Sequence, residues 1–333
     1  MFQDGRRSQI FDERELSKHK IVVVVPCYKV SESVNEVLAK IPGFVSHVLV
    51  VDDGCPEGSG KSVQSKSSDS RVKVIFHGKN LGVGAALVTG YKQSLELGAD
   101  IVVKLDGDGQ MDPSKIIELI APIVRGEADY TKGDRLDSLT GLRQMPTIRL
   151  FGNAGLTLLT KFSTGYWNIK DPTNGFTAIH SDVLRRLPLS MLNKGYFFES
   201  DMLFRLSIYR AVVQDVPMSA RYGKEKSSLS IVKAFFQFPW LHLVNFHKRL
   251  FYNYYLRDVS AASLELLAGL ALGWFGVIFG AISFNQAAER GVPATTGTVM
   301  IAVLPIILGF QLLLAFLSYD VSETPTKPKH RRH

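Results

Sequence analysis

Two apolar stretches near the C-terminus constrain this chain more than any other feature. Thr298 to Leu317 contains no charged residue, and Ala261 to Phe284 contains only Glu265. Each reaches the roughly 20 residues that a helix needs to cross a bilayer, so the pair predicts a transmembrane hairpin rather than two buried core helices. The polar segment between them, Asn285 to Gly297, is expected to be a tight loop. Two spans return the chain to its starting side, where Lys248, Arg249 and Arg257 precede the hairpin and Lys327, Lys329, Arg331 and Arg332 follow it. By the positive-inside rule that side is cytoplasmic, together with the domain before the spans and both termini. Met1 to Lys20 is highly charged and lacks the apolar core of a signal peptide. The net charge of +8 gathers largely near the spans, where Lys and Arg meet anionic headgroups. No basic-aromatic motif points to nucleic acid, so the bilayer is the expected partner.

Ahead of the hairpin, charged and apolar residues mix as in a globular domain. Ile21 to Val25 is a β-branched run ended by Pro26, the pattern of a strand buried on both faces. Further strands are expected at His47–Val51, Val72–Phe76, Asp100–Leu105 and Asp129–Lys132. Helices are expected near 31–40, 82–97, 114–125 and 202–209. Alternation of this kind predicts an α/β, Rossmann-like, mainly parallel sheet with right-handed crossovers. Ligands of such sheets bind beyond the carboxyl ends of the strands, where Pro26-Cys27-Tyr28, Asp52-Asp53 and Asp106-Gly107-Asp108 fall. Cys27 and Cys55 follow strands and read as reduced thiols in a cytoplasmic domain. Asp137 to Asn174 is less regular and is expected to form acceptor loops. Ser230 to Arg257 interleaves aromatics with His and Lys, which suits helices lying in the membrane interface. The expected division is an N-terminal extension (1–19), the α/β domain (20–229), interfacial helices (230–259), the hairpin (260–318) and a basic tail (319–333).

Asp106 and Asp108 stand two apart at a strand end, and on an extended backbone both carboxylates point to one side. Gly107 and Gly109 leave room for a ligand. Oxygen donors of this kind suit Mg²⁺ or Mn²⁺, which bridges phosphate oxygens. A calcium EF-hand loop starting at Asp106 requires Gly at its sixth position and Glu at its twelfth, and Met111 and Ile117 stand there. A dinucleotide fingerprint at Gly82-Val83-Gly84-Ala85-Ala86-Leu87 has Leu at its third small position and follows the third strand instead of the first.

Pro26-Cys27-Tyr28, Val50-Val51-Asp52-Asp53-Gly54, Asn80-Leu81-Gly82-Val83-Gly84-Ala85, Leu105-Asp106-Gly107-Asp108-Gly109-Gln110 and Asp171-Pro172-Thr173-Asn174-Gly175-Phe176 occur in that order. The ordered set, over about Lys20 to Ser230, resembles the inverting GT-A glycosyltransferases that include dolichyl-phosphate mannose synthase and bacterial polyprenyl-phosphate glycosyltransferases. The two C-terminal spans resemble the bacterial members. The resemblance implies a GT-A catalytic domain that uses a UDP- or GDP-sugar donor and a polyprenyl phosphate acceptor. It implies donor contacts at Pro26, Tyr28, Asp52, Asp53, Asp106, Gly107 and Arg135, with Asp106, Asp108 and Gln110 holding Mg²⁺ or Mn²⁺. Acceptor or phosphate contacts are implied at Arg135, Arg149, Asn153, Asp171, Asn174, Arg221, Lys224 and Lys226, although Gly152-Asn153 replaces the usual Ser.

Glu199 and Asp201 place two more carboxylates just ahead of an expected helix, where they either cap it or face the sugar. A hydroxyl acceptor needs a general base, for which Asp201 is the candidate. A lipid phosphate arrives largely ionised and needs positioning instead. The open alternatives are a transferase extending a lipid-linked glycan and a nucleotide-binding scaffold without turnover. Small residues in the first span (Ala268, Gly269, Gly273, Gly276, Gly280) permit close packing within the chain or in a homo-oligomer.

Overall fold

The computed structural model describes residues 16, 18–136, 147–218 and 231–331, with side chains from 152 and 237 onward in the last two stretches. Its elements fall into two units, residues 1–245 with 325–333, and residues 246–324.

In the first unit, β1 (Ile21–Cys27), β2 (His47–Asp52), β3 (Val72–Phe76) and β4 (Ile101–Lys104) run parallel, linked by α1 (Val34–Ala39), α2 (Ser59–Lys66) and α3 (Val83–Glu96). A single 3₁₀ turn, Pro113–Lys115, leads into α4 (Ile116–Val124) and β5 (Tyr130–Asp134). There follow α5 (Thr147–Thr164), β6 (Thr177–His180), α6 (Ser181–Arg186), α7 (Phe198–Tyr209) and β7 (Val213–Pro217). The seven strands lie in the order β3-β2-β1-β4-β6-β5-β7, and β6 runs antiparallel to both its neighbours. Strand side chains alternate between two cores. Ile21, Val23, Val25, Val48, Val50 and Val103 pack under α1 and α4, whereas Val22, Val24, Leu49, Val51 and Val102 pack under α3 and α7. This accounts for the unbroken apolar runs, because period-two alternation buries every residue when both faces are covered.

Several boundaries depart from expectation. The 137–174 region contains the 18-residue α5 instead of loops alone. Strand β5 includes Gly133 and Asp134, which the sequence placed beyond its end. Helix α7 begins four residues before Met202, so Glu199 and Asp201 lie inside its first turn, where acidic residues complement the helix dipole. Strands β6 and β7 were not anticipated.

The aromatic segment forms one helix, α8 (Ile231–Phe251), closed by a π turn at Tyr252–Leu256. In the second unit, α9 (Ala261–Arg290) and α10 (Thr296–Ser322) are long and apolar enough to cross a membrane. The loop between them is shorter than expected, because α9 runs to Arg290 and stops on Gly291 in the left-handed conformation (φ 64°). The small residues act within the chain: a Cβ on Gly309 would lie 2.7 Å from the Gly269 carbonyl oxygen, so the two backbones meet closely. At the base of this hairpin the buried Arg249 guanidinium donates to Asp320 at 2.6 and 3.1 Å. The Tyr254 hydroxyl donates to the same carboxylate at 2.6 Å.

Candidate active site

The register aligns the strand ends into one edge, with Cys27 opposite Asp52 and Val24 opposite Lys104. Pro26, inside β1 near its end, is half-buried, and Tyr28, just beyond the strand, is 36% exposed. Asp52 and Asp53 are buried, and neighbouring loops occupy their oxygens. Asp52 accepts from the Cys55 and Gly60 amides at 2.7 and 2.6 Å. Asp53 accepts from the Leu81 and Gly82 amides at 3.0 and 2.7 Å, and His77 Nδ1 lies 2.7 Å away. Both carboxylates therefore shape the loops at this edge. The Gly84 and Ala85 amides at the start of α3 donate to the Lys194 carbonyl at 2.9 and 3.3 Å, which covers the amides that a dinucleotide phosphate would need.

Past β4 the chain turns at Gly107 and Asp108 rather than staying extended, and Gly109 takes φ 78°. The Ser33 hydroxyl donates to the Gly107 carbonyl at 2.8 Å and pins the turn. Asp106 and Asp108 are partly exposed, and Asp108 Oδ1 accepts from the Gln110 amide at 3.0 Å. Sequence reasoning passed over Lys104, whose side chain is only 2% exposed. Its ammonium lies 3.0 Å from Asp106 Oδ1 and 3.1 Å from Glu199 Oε1. Burial alone would lower its pKa, but the charges of Asp106 and Glu199 outweigh it, and the pKa is raised. A Cβ at Gly175 would strike the Lys104 ammonium and lie 2.8 Å from Asp106 Oδ2, so the motif glycine leaves space for this ion pair.

A second cluster lies at the end of β5. Arg135 grips buried Asp171 through Nε at 2.8 Å and Nη2 at 3.1 Å, a bidentate pair, and Nη2 also donates to Thr173 at 3.2 Å. Burial would raise the Asp171 pKa, but Arg135 and Lys132 lower it. The buried Lys132 ammonium donates to the Asn174 carbonyl, and the Asn174 side chain accepts from the Phe176 amide at 3.0 Å. Burial pushes Lys132 down to about 8, against the pull of Asp171 and Glu199. Asp171 and Asn174 thus fold the Asp-Pro-Thr-Asn-Gly loop against β5.

Two residues apart on a helix are about 200° apart, so Glu199 and Asp201 diverge. Glu199 meets Lys104, which also holds Asp106. Asp201 Oδ2 accepts from the Asn193 amide at 2.9 Å and from Arg205 Nε at 3.1 Å, tying α7 to the preceding loop. Asn153 is half-buried on α5, and Arg149 lies on the same helix, its side chain outside the described residues. Arg221, Lys224 and Lys226 also fall outside the described residues.

Among the described residues no cluster of three or more His, Cys, Asp or Glu side chains forms a ready cage for a metal. Asp106, Asp108 and Gln110 nevertheless fit Mg²⁺ or Mn²⁺. They are hard oxygen donors on one partly open turn, and such ions bind through one or two carboxylates completed by substrate phosphates.

Comparison with known proteins agrees with this arrangement. The sequence profile of glycosyl transferase family 2 matches residues 22–187. The undecaprenyl-phosphate mannosyltransferase of Micrococcus luteus is 30% identical over 220 residues, covering 64% of this chain and 89% of that protein. The UDP-N-acetylglucosamine–dolichyl-phosphate N-acetylglucosaminyltransferase of Methanococcus voltae is 28% identical over 216 residues, covering 61% and 86%. In fold, the chain is similar to glucosyl-3-phosphoglycerate synthase of Mycobacterium tuberculosis in complex with Mn²⁺, UDP-glucose and phosphoglyceric acid. The TM-score is 0.55 at 18% identity, covering 73% of this chain and 85% of that one.

Proposed function

The chain belongs to glycosyl transferase family 2, and on that premise we propose that it transfers a sugar from a nucleoside diphosphate sugar to a polyprenyl phosphate with inversion. The acceptor phosphate attacks the anomeric carbon in a single displacement, and the nucleoside diphosphate leaves. Tyr28 and Pro26 line the nucleoside end, with Asp52 and Asp53 setting the loops around it. Asp106, Asp108 and Gln110 face the diphosphate. A divalent cation bound there supplies charge neutralisation for the leaving group. Arg135, held by Asp171, brings its positive charge to the phosphate. The α9–α10 hairpin anchors the enzyme in the membrane, with the catalytic domain and both termini on the cytoplasmic side.

The observation that carries the choice of acceptor is the state of the two helix carboxylates. Glu199 is paired with Lys104, and Asp201 is held by the Asn193 amide and Arg205. Neither is poised to deprotonate a hydroxyl, which suits a phosphate nucleophile that arrives ionised. The two named relatives act on lipid phosphates, and helices α9 and α10 suit a lipid substrate.

The test uses purified full-length protein with labelled UDP-glucose, UDP-GlcNAc and GDP-mannose, with and without polyprenyl phosphate. Label in a mild-acid-labile lipid is expected only when polyprenyl phosphate is present. Transfer that requires a glycan acceptor, or no transfer from any donor, would defeat the proposal. Asp201→Asn should retain measurable transfer. Complete loss with intact folding and nucleotide binding would favour a hydroxyl acceptor.

A further inference from the structure

Lys104 is a full positive charge placed inside the sheet, at the end of a strand whose other residues are apolar and buried. Being 2% exposed, it has no route to the donor and acts through the carboxylates it touches. Its single nitrogen lies about 3 Å from both Asp106 and Glu199, so it joins a turn residue after β4 to the first turn of α7. The space is fitted to it, because no side chain can stand at Gly175 without displacing the ammonium.

Resting on the reading that Asp106 and Asp108 face the donor diphosphate, we infer that Lys104 makes metal capture depend on the donor. By pairing Asp106 with Glu199, its ammonium occupies the charge that these carboxylates would otherwise offer to a free divalent cation. Cation affinity at oxygen sites rises with the number of carboxylates offered. With Lys104 present, Asp106 and Asp108 make an incomplete site, and the phosphate oxygens of the donor complete it. Without Lys104, Asp106 and Glu199 form a bare pair, which a divalent cation neutralises in competition with a shared proton. Lys104 is thus a positioning residue: it keeps metal and nucleotide arriving together and holds Asp106 aligned toward the diphosphate.

The experiment measures Mn²⁺ binding to the full-length protein in detergent, by the loss of the free-ion electron paramagnetic resonance signal, with and without UDP or GDP. The wild-type chain should bind Mn²⁺ weakly alone and more tightly with nucleotide. Lys104→Met should tighten nucleotide-free binding about tenfold or more, shrink the nucleotide dependence, and lower kcat more than it changes donor KM. A chain unfolded in EDTA that regains its fold on addition of Mn²⁺ would report the same gain. Lys104→Met/Glu199→Gln, which removes the second carboxylate, should return nucleotide-free binding to the wild-type level. A purely structural ion pair predicts lower stability with no gain in Mn²⁺ affinity. That result, a variant that stays unfolded at saturating Mn²⁺, or a gain that survives Glu199→Gln, overturns the inference. Wild-type protein that fails to bind Mn²⁺ even with nucleotide would instead overturn the underlying assignment of Asp106 and Asp108.

Discussion

Among the acidic residues, Asp108 offers the cleanest mutational test, because its role is separable from the fold. Asp106→Ala also strips Lys104 of a partner, and leaving a buried charge short of its counter-ion costs on the order of 3 kcal/mol. Lost activity in that variant would conflate chemistry with stability. Asp108 is partly exposed and accepts from the Gln110 amide at the surface of the turn. Asp108→Ala should therefore lower kcat/KM by about a hundredfold or more while shifting the melting temperature little. Kinetics paired with thermal unfolding would check both halves, and near-normal kcat/KM would remove Asp108 from the site. The acids at strand ends were legible because a carboxylate that follows a doubly buried strand stands out against its surroundings. Lys104 was not, because a lone Lys at the end of an apolar run reads as the residue where the strand meets water. The available signal was its place before Leu105, itself buried, so that the charge lies inside the run and needs carboxylate partners. The spacing of Glu199 and Asp201 left their directions open, because residues two apart share a side on an extended chain and diverge inside a helix.

Among the elements, those with strong periodicity were legible and those defined by distant partners were not. Strands β1 to β4 announced themselves as apolar runs. Strand β6, four residues long, exists because it fills the space between β4 and β5, and β7 because it extends β5. Helix α8 was read as interfacial from its aromatics, and its stretch up to Asn245 also packs within the first unit. His242 is 1% exposed, with Nδ1 2.8 Å from the Ser163 hydroxyl and its ring edge-on to Phe197. Burial pushes its pKa down to about 4. The folded state thus holds His242 neutral where the unfolded chain, titrating near 6.5, binds a proton, so stability falls as pH drops from about 6.5 towards 4. The loss amounts to roughly 2 kcal/mol between pH 7.5 and 5. His180, also pushed down to about 4 by burial, adds a loss of the same sign. His242→Phe keeps the ring volume, and Ser163 retains its bond to the Thr160 carbonyl at 3.2 Å. Its unfolding midpoint should match wild type near pH 7.5 and fall less at pH 5. Identical acid sensitivity in the two proteins would contradict a buried neutral His242.

For the molecule as a whole, the basic tail after the second apolar helix was expected near lipid headgroups, and residues 329–331 dock on the first unit through the Lys329 and His330 amides and the Arg331 side chain. Asp129, fully buried before β5, accepts from the Val212 amide at 2.8 Å and from the Lys329 and His330 amides at 2.7 and 3.1 Å. His330 Nδ1 lies 2.8 Å away, and its ring stacks on His180 at 4.3 Å. Burial would raise the Asp129 pKa, yet these bonds lower it, so the stabilisation is present above the ordinary Asp value and fades as pH falls below it. Asp129 stands at the amino end of β5, whereas Arg135 and the Asp106 turn lie at the carboxyl edge. The tail therefore docks at the end of β5 remote from the Asp106 turn. Deleting residues 325–333 would strip the Asp129 carboxylate of its tail donors and open it to water, leaving the Val212 amide. A lost hydrogen bond to a charged group costs roughly 1.5–3 kcal/mol. The deletion should lower the midpoint of thermal unfolding by several degrees, and the Asp129→Ala variant should lower it as well. Combining the two should cost less than their sum, since each removes the same interaction. Strict additivity would mean that the tail and Asp129 stabilise the enzyme independently, and the docking would have no energetic weight.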